Sequence, residues 1–100
     1  MSQKFQELIQ SEQPVLIDFF ATWCQPCKVQ SSVLEPVKKT IGDAARIVKI
    51  DIDRYPQIAA DQSVRSVPTL ILFKNGEELW RGNGVHDVNT LIQLLQQYTS

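Results

Sequence analysis

The chain has 100 residues and a formal net charge of −1, with the apolar and charged shares of an ordinary globular protein. That length suits one domain, residues 1–100, around a single core, and the near-zero charge leaves no basic surplus for nucleic acid or anionic lipid. No apolar run approaches the roughly 18 residues of a membrane span, and MSQKFQELIQ lacks the basic flank and apolar centre of a secretion signal, so a monomeric, cytoplasmic protein is expected.

Residues 2–12 read as a short amphipathic helix on Phe5, Leu8 and Ile9, stopped by Pro14. VLIDFF, residues 15–20, is a near-continuous apolar run of the kind covered on both faces of a sheet, interrupted by one carboxylate, Asp18. After Cys24-Gln25-Pro26-Cys27, the residues Val29, Val33, Leu34, Val37 and Ile41 recur at helical spacing until Gly42, and Pro36 is expected to bend that helix. ARIVKIDID reads as a second buried strand and PQIAADQSV as a short helix. In TLILFKNGEELWR, Asn75-Gly76 between two strand-like runs predicts a two-residue type I′ hairpin. Asp87 is placed to cap a last helix, whose stripe is Val88, Leu91, Leu94, Leu95 and Tyr98. The order α-β-α-β-α-β-β-α predicts an α/β protein with a central mixed sheet of about four strands and helices on both faces.

The two cysteines, Cys24 and Cys27, are the only ones in the chain. A bridge between them closes so short a loop that it adds little to stability, so its purpose would be chemical. The pair sits where a strand gives way to a helix, and the free N–H groups and dipole of a helix start favour a thiolate at Cys24. Cys24 is therefore the expected nucleophile, and Cys27, one turn further in and less exposed, the resolving thiol. Pro26 stiffens the first turn without removing a needed hydrogen bond. The competing readings are structural thiols or half of a metal site; zinc wants four ligands, and His86 is the one further soft donor, so a metal would need two chains. A Cys-x-x-Cys beside a βαβ pattern favours redox chemistry.

Asp18 is either a solvated residue at a strand edge or a buried acid. Its neighbours Ile17 and Phe19 favour burial, which raises a carboxyl pKa and makes Asp18 a proton carrier near neutral pH, able to take the proton of Cys27 directly or through water. Lys49 either snorkels from its strand or modulates the charge of Asp18. Trp23, at the strand exit, reads as functional surface, Trp80 as a cross-strand packing residue and His86 as a surface residue. Asp51 and Asp53 fall on one face of a strand end and read as solvated carboxylates.

The segments DFFATWCQPCK and VPTLILFKNG, with the spacing between them, resemble the thioredoxin family, and Gly84 and the Asp87 helix fall in family register, so the resemblance covers nearly the whole chain. It implies the thioredoxin fold and the reduction of protein disulfides. Trp23, Cys24, Pro26 and Cys27 match the active-site motif. Pro68 matches the family's cis-proline beside the disulfide, the backbone of Val67 would pair with an extended substrate segment, and Gly84 belongs to the same surface. Asp18 matches the buried carboxylate behind the resolving cysteine, and Lys49 its neighbouring lysine. The implied partners are disulfide-containing proteins and a thioredoxin reductase drawing on NADPH, with no bound cofactor. The chain departs from the family in three ways. Gln25 replaces a glycine, which bears on redox poise; Ser32 stands where the family has a helix-bending proline, with Pro36 instead; and the sequence starts at about the family's first helix, so its first strand has no counterpart. Two readings from other classes stand beside this one: a non-catalytic binding module using Trp23, Pro68 and Gly84, and a metal clamp across a dimer. Reductase, oxidase and isomerase roles are not separated by the sequence.

Overall fold

The structure is a computed structural model that describes residues 2–99. The first helix, α1 (Gln3–Ile9), starts where the Ser2 hydroxyl accepts the Phe5 amide at 3.3 Å. It ends well before Pro14, the expected stop, because the chain leaves helical geometry at Gln10. The carbonyls of Ile9 and Ser11 are taken instead by the amides of Gly76 and Asn75, at 2.9 and 2.8 Å. Strand β1 (Val15–Phe20) follows, buried at its first five positions, Asp18 included. The long helix α2 (Gln25–Ile41) runs through Pro36 and closes on Gly42, whose φ of 59° suits a residue without a Cβ. A short 3₁₀ turn (Gly42–Ala44) leads into β2 (Arg46–Asp51), then come α3 (Pro56–Asp61), the hairpin β3 (Thr69–Lys74) and β4 (Glu77–Asn83), and finally α4 (Val88–Tyr98). Asp87 caps α4 as expected, accepting the Thr90 amide at 2.8 Å.

The four strands form one mixed sheet in the order β2-β1-β3-β4. β1 and β2 are parallel, with Asp18 opposite Lys49, while β1/β3 and β3/β4 are antiparallel. The hairpin turn has positive φ at both Asn75 (53°) and Gly76 (80°), the signature of the expected type I′ turn. Alternation along β1 then sorts its side chains onto two faces. Val15, Ile17 and Phe19 pack with Phe5, Ile9, Ile71 and Phe73 beneath α1, and Leu16 packs with Leu34, Val37, Leu70, Leu72, Leu91 and Leu95 beneath α2 and α4.

Two expectations are corrected. β2 is an edge strand and less buried than expected: it reaches both cores through Ile47, Val48 and Ile50, but Ile50 is its one buried residue, and Arg46 and Lys49 are exposed. Its apolar residues do not reveal that on one side the described residues place no further strand. On α2 the buried seam is Cys27, Gln30, Leu34 and Val37, so Val29, expected in the apolar stripe, is 55% exposed.

Candidate active site

Phe20 ends β1, and four residues later the chain reaches Cys24, the residue that caps α2. Cys24 and Cys27 are joined as a disulfide with Cα atoms 5.3 Å apart. Accessibility does not tell them apart, at 4% and 3%, contrary to the expected difference. What separates them is the helix start. The Cys24 sulfur accepts the Cys27 backbone N–H at 3.1 Å, so a negative charge on that sulfur would find a donor and the positive end of α2 already in place. Gln25 and Pro26 are the first two residues of α2, and both are exposed.

The sulfurs rest with Ala21 on an apolar bed supplied by Phe20, Ile52 and Val67. The Val67–Pro68 peptide is cis and Pro68 is buried, so the expectation drawn from the resemblance holds. The Pro68 carbonyl accepts the Gly84 amide at 2.9 Å, which brings the end of β4 against this loop. Trp23 is 69% exposed, and its indole N–H donates to Asp53 Oδ2 at 2.9 Å. Asp51 Oδ1 in turn accepts the Asp53 amide at 2.9 Å. These two carboxylates, expected to be merely solvated, hold the turn that orients Trp23; their alternation at a strand end was visible, but their partner was not.

Asp18 is fully buried, and neither of its carboxyl oxygens has a hydrogen-bond partner. Desolvation pushes its pKa from 3.8 up to about 6, and the positive charges of Lys49 and then Lys38 draw it partly back. The solvated-edge reading of Asp18 therefore fails. Lys49 projects from the edge strand, its Nζ 2.8 Å from Ser31 Oγ on α2 and 4.6 Å above the Phe20 ring, and its positive charge lowers the Asp18 pKa. A cleft of about 480 Å³ opens beside Cys27, with Phe20, Ser31 and Lys49 among its walls.

His86, expected at the surface, is partly buried, its ring edge-on to Trp80 with centroids 5.1 Å apart. Sequence reasoning also passed over Gln30, which is fully buried one turn from Cys27 and bonded to the His86 backbone. A polar residue in an otherwise apolar helical stripe was the available signal. Among the described residues no three His, Cys, Asp or Glu side chains gather where they could hold a metal ion, and no helix is long and apolar enough to cross a membrane.

A family model described as Thioredoxin matches residues 1–97. The chain belongs to the thioredoxin family. A thioredoxin-like protein of Synechocystis is 46% identical over 88% of this chain and 84% of its own length, and a thioredoxin of Rickettsia bellii is 39% identical over the same shares. The chloroplastic thioredoxin Y of rice is 43% identical over 92% of this chain, which spans 55% of that relative. Among solved structures, a point mutant of the Halobacterium salinarum thioredoxin superposes with a TM-score of 0.84 at 35% identity, over 100% of this chain and 87% of the other. The family and the bridged Cys-x-x-Cys make the chain a thiol-disulfide oxidoreductase that acts on protein disulfides, with Cys24–Cys27 as its redox-active pair. The expected cytoplasmic location is overturned by the relatives, since chloroplastic thioredoxins Y of rice and Arabidopsis thaliana are among the matches.

Proposed function

We propose that residues 1–100 act as one thioredoxin domain whose direction of work is reduction. The Cys24 thiolate attacks one sulfur of a substrate disulfide, forming a mixed disulfide and releasing one substrate thiolate. Asp18 takes the proton of Cys27 through solvent, and the Cys27 thiolate attacks the Cys24 sulfur. The second substrate thiolate leaves, two electrons have passed to the substrate, and Cys24 is bridged to Cys27. A thioredoxin reductase supplied by NADPH then restores the dithiol. Trp23, the Val67 backbone, Pro68 and Gly84 form the surface that receives the substrate, Gln25 tunes the potential and Lys49 tunes Asp18. Kinship with chloroplastic thioredoxins Y favours a plastid setting.

The observation that carries this reading is the Cys24 sulfur acting as the cap of α2, with the Cys27 amide donating to it. The order of attack is tested by trapping. A Cys27→Ser variant should accumulate as a covalent mixed disulfide with protein substrates, and Cys24→Ser should not. Equal trapping by both variants, read on non-reducing gels and by mass spectrometry, would reverse or abolish the assignment.

A further inference from the structure

The side chain of Gln30 is fully buried on α2, three residues after Cys27, and its two polar ends are both spent on one residue of a distant loop. Its Nε2 donates to the His86 carbonyl at 3.1 Å, and its Oε1 accepts the His86 amide at 2.8 Å. A buried primary amide is costly unless its polar ends are matched, and a two-point match to the backbone of one residue fixes position as well as distance. The loop it grips joins β4 to α4 and contains Gly84, whose amide bonds the Pro68 carbonyl at 2.9 Å. Gly84 has a φ of 81°, a conformation in which a glycine keeps no preferred geometry of its own. The loop is held from its other side as well, since the His86 ring packs edge-on against Trp80 and its Nδ1 lies 3.0 Å from the Gly84 carbonyl. The His86 ring lies over Gly82 in space that a side chain there would need, since a Cβ on Gly82 would fall 2.7 Å from it.

We infer that Gln30 is a positioning residue: through the His86 backbone it fixes the Gly84 loop against the Pro68 loop, and so sets how well the reduced protein engages extended protein substrates. The inference rests on the reading above that Val67, Pro68 and Gly84 receive the substrate. A loop free to drift would still leave the cysteines on the rigid start of α2, so small disulfides, which need little more than the Cys24 sulfur, would feel the loss less than proteins do. The effect is therefore one of selectivity.

Gln30→Met keeps the length and volume of the side chain and removes both hydrogen bonds. The dithiol form of this variant is compared with wild type in stopped-flow reduction of a protein disulfide, insulin, and of a small aromatic disulfide. The ratio of the two second-order rate constants should fall about fivefold in favour of the small compound. An unchanged ratio, whether both rates fall together or neither moves, overturns the inference. Trp23→Ala separates the two ideas: if it lowers the insulin rate selectively and Gln30→Met does not, the substrate surface stands and the positioning role is wrong. If neither variant is selective, the substrate surface itself is misplaced and the inference goes with it. Hydrogen exchange of the wild type gives a check that needs no variant. The His86 amide should exchange about a hundredfold more slowly than that of exposed Asn89 in the first turn of α4, and exchange at the Asn89 rate means the Gln30 contact does not hold the loop.

Discussion

Asp18 is the residue where stability and catalysis pull in opposite directions. With a folded pKa near 6 against an unfolded value of about 3.9, the native state keeps a proton over an interval in which the unfolded chain has released it. Stability is thus fully present below about pH 4 and falls as pH rises towards 6, then levels off. At about 1.4 kcal/mol per pH unit the loss approaches about 3 kcal/mol. Asp18→Asn removes this titration, so in the oxidised form, where the cysteines are silent, the variant should gain on wild type by about that amount between pH 4 and pH 6. Denaturant unfolding at intervals across the range measures it, and a difference independent of pH would mean the carboxyl is not a buried acid. The same variant should resolve mixed disulfides more slowly at pH 7, where wild-type Asp18 is mostly ionised and able to accept the proton of Cys27. Burial without a hydrogen-bond partner costs the neutral acid something and the ionised form much more, so the larger penalty falls on the form that the proposed chemistry uses.

Among the elements, α4 contributes most plainly through packing, because Leu91 and Leu95 are fully buried against Leu34 and Val37 of α2. Leu91→Ala should cost about 2–5 kcal/mol, read as a lower urea midpoint at unchanged slope. A loss under about 1 kcal/mol would mean that α4 is not anchored by this contact. The elements that announced themselves in the sequence are those whose signal is local. VLIDFF carries its two-sided burial in its own composition, Asn75-Gly76 dictates the hairpin by its φ requirements, and Asp87 with its leucine stripe marks α4 from start to finish. Where the reading failed, the cause lay far away in the chain. The expected helix is cut short where the hairpin tip takes the carbonyls of Ile9 and Ser11, and the seam of α2 is displaced because Gln30 occupies a buried position for a partner 56 residues away. The active site divides in the same manner: Cys24, Cys27 and the setting of Asp18 were legible, whereas the Asp53 grip on Trp23 and the Gln30 grip on His86 are long-range pairings in which one end is marked at most and the partner is not.

At the scale of the whole molecule, β1 and β3 hold both cores together, since each sends side chains to both faces of the sheet, and the redox pair, Trp23 and the Pro68 loop gather around the point where β1 hands over to α2. β2 also reaches both cores, through Ile47 on one face and Val48 and Ile50 on the other, but among the described residues it is an edge strand. Arg46 and Ile52 donate their amides to Pro14 and Phe20 at 2.9 Å, so by alternation the amides of Ile47 and Lys49 point away from β1, towards the side on which the described residues place no further strand. An apolar strand with free donors is a template for a second molecule, and a charged side chain along it is the usual deterrent. Arg46 and Lys49, both exposed on β2, are then the charges expected to deter self-templating, and Lys49 also lines the cleft beside Cys27. Replacing both with threonine, which favours strands and carries no charge, should yield concentration-dependent association in sedimentation velocity under conditions where the parent stays dispersed. If the double variant sediments as the parent does, the edge is protected by other means. If it associates, Lys49 serves colloidal behaviour and redox chemistry with one charge, and its replacement cannot be read as a loss of catalysis until aggregation has been measured.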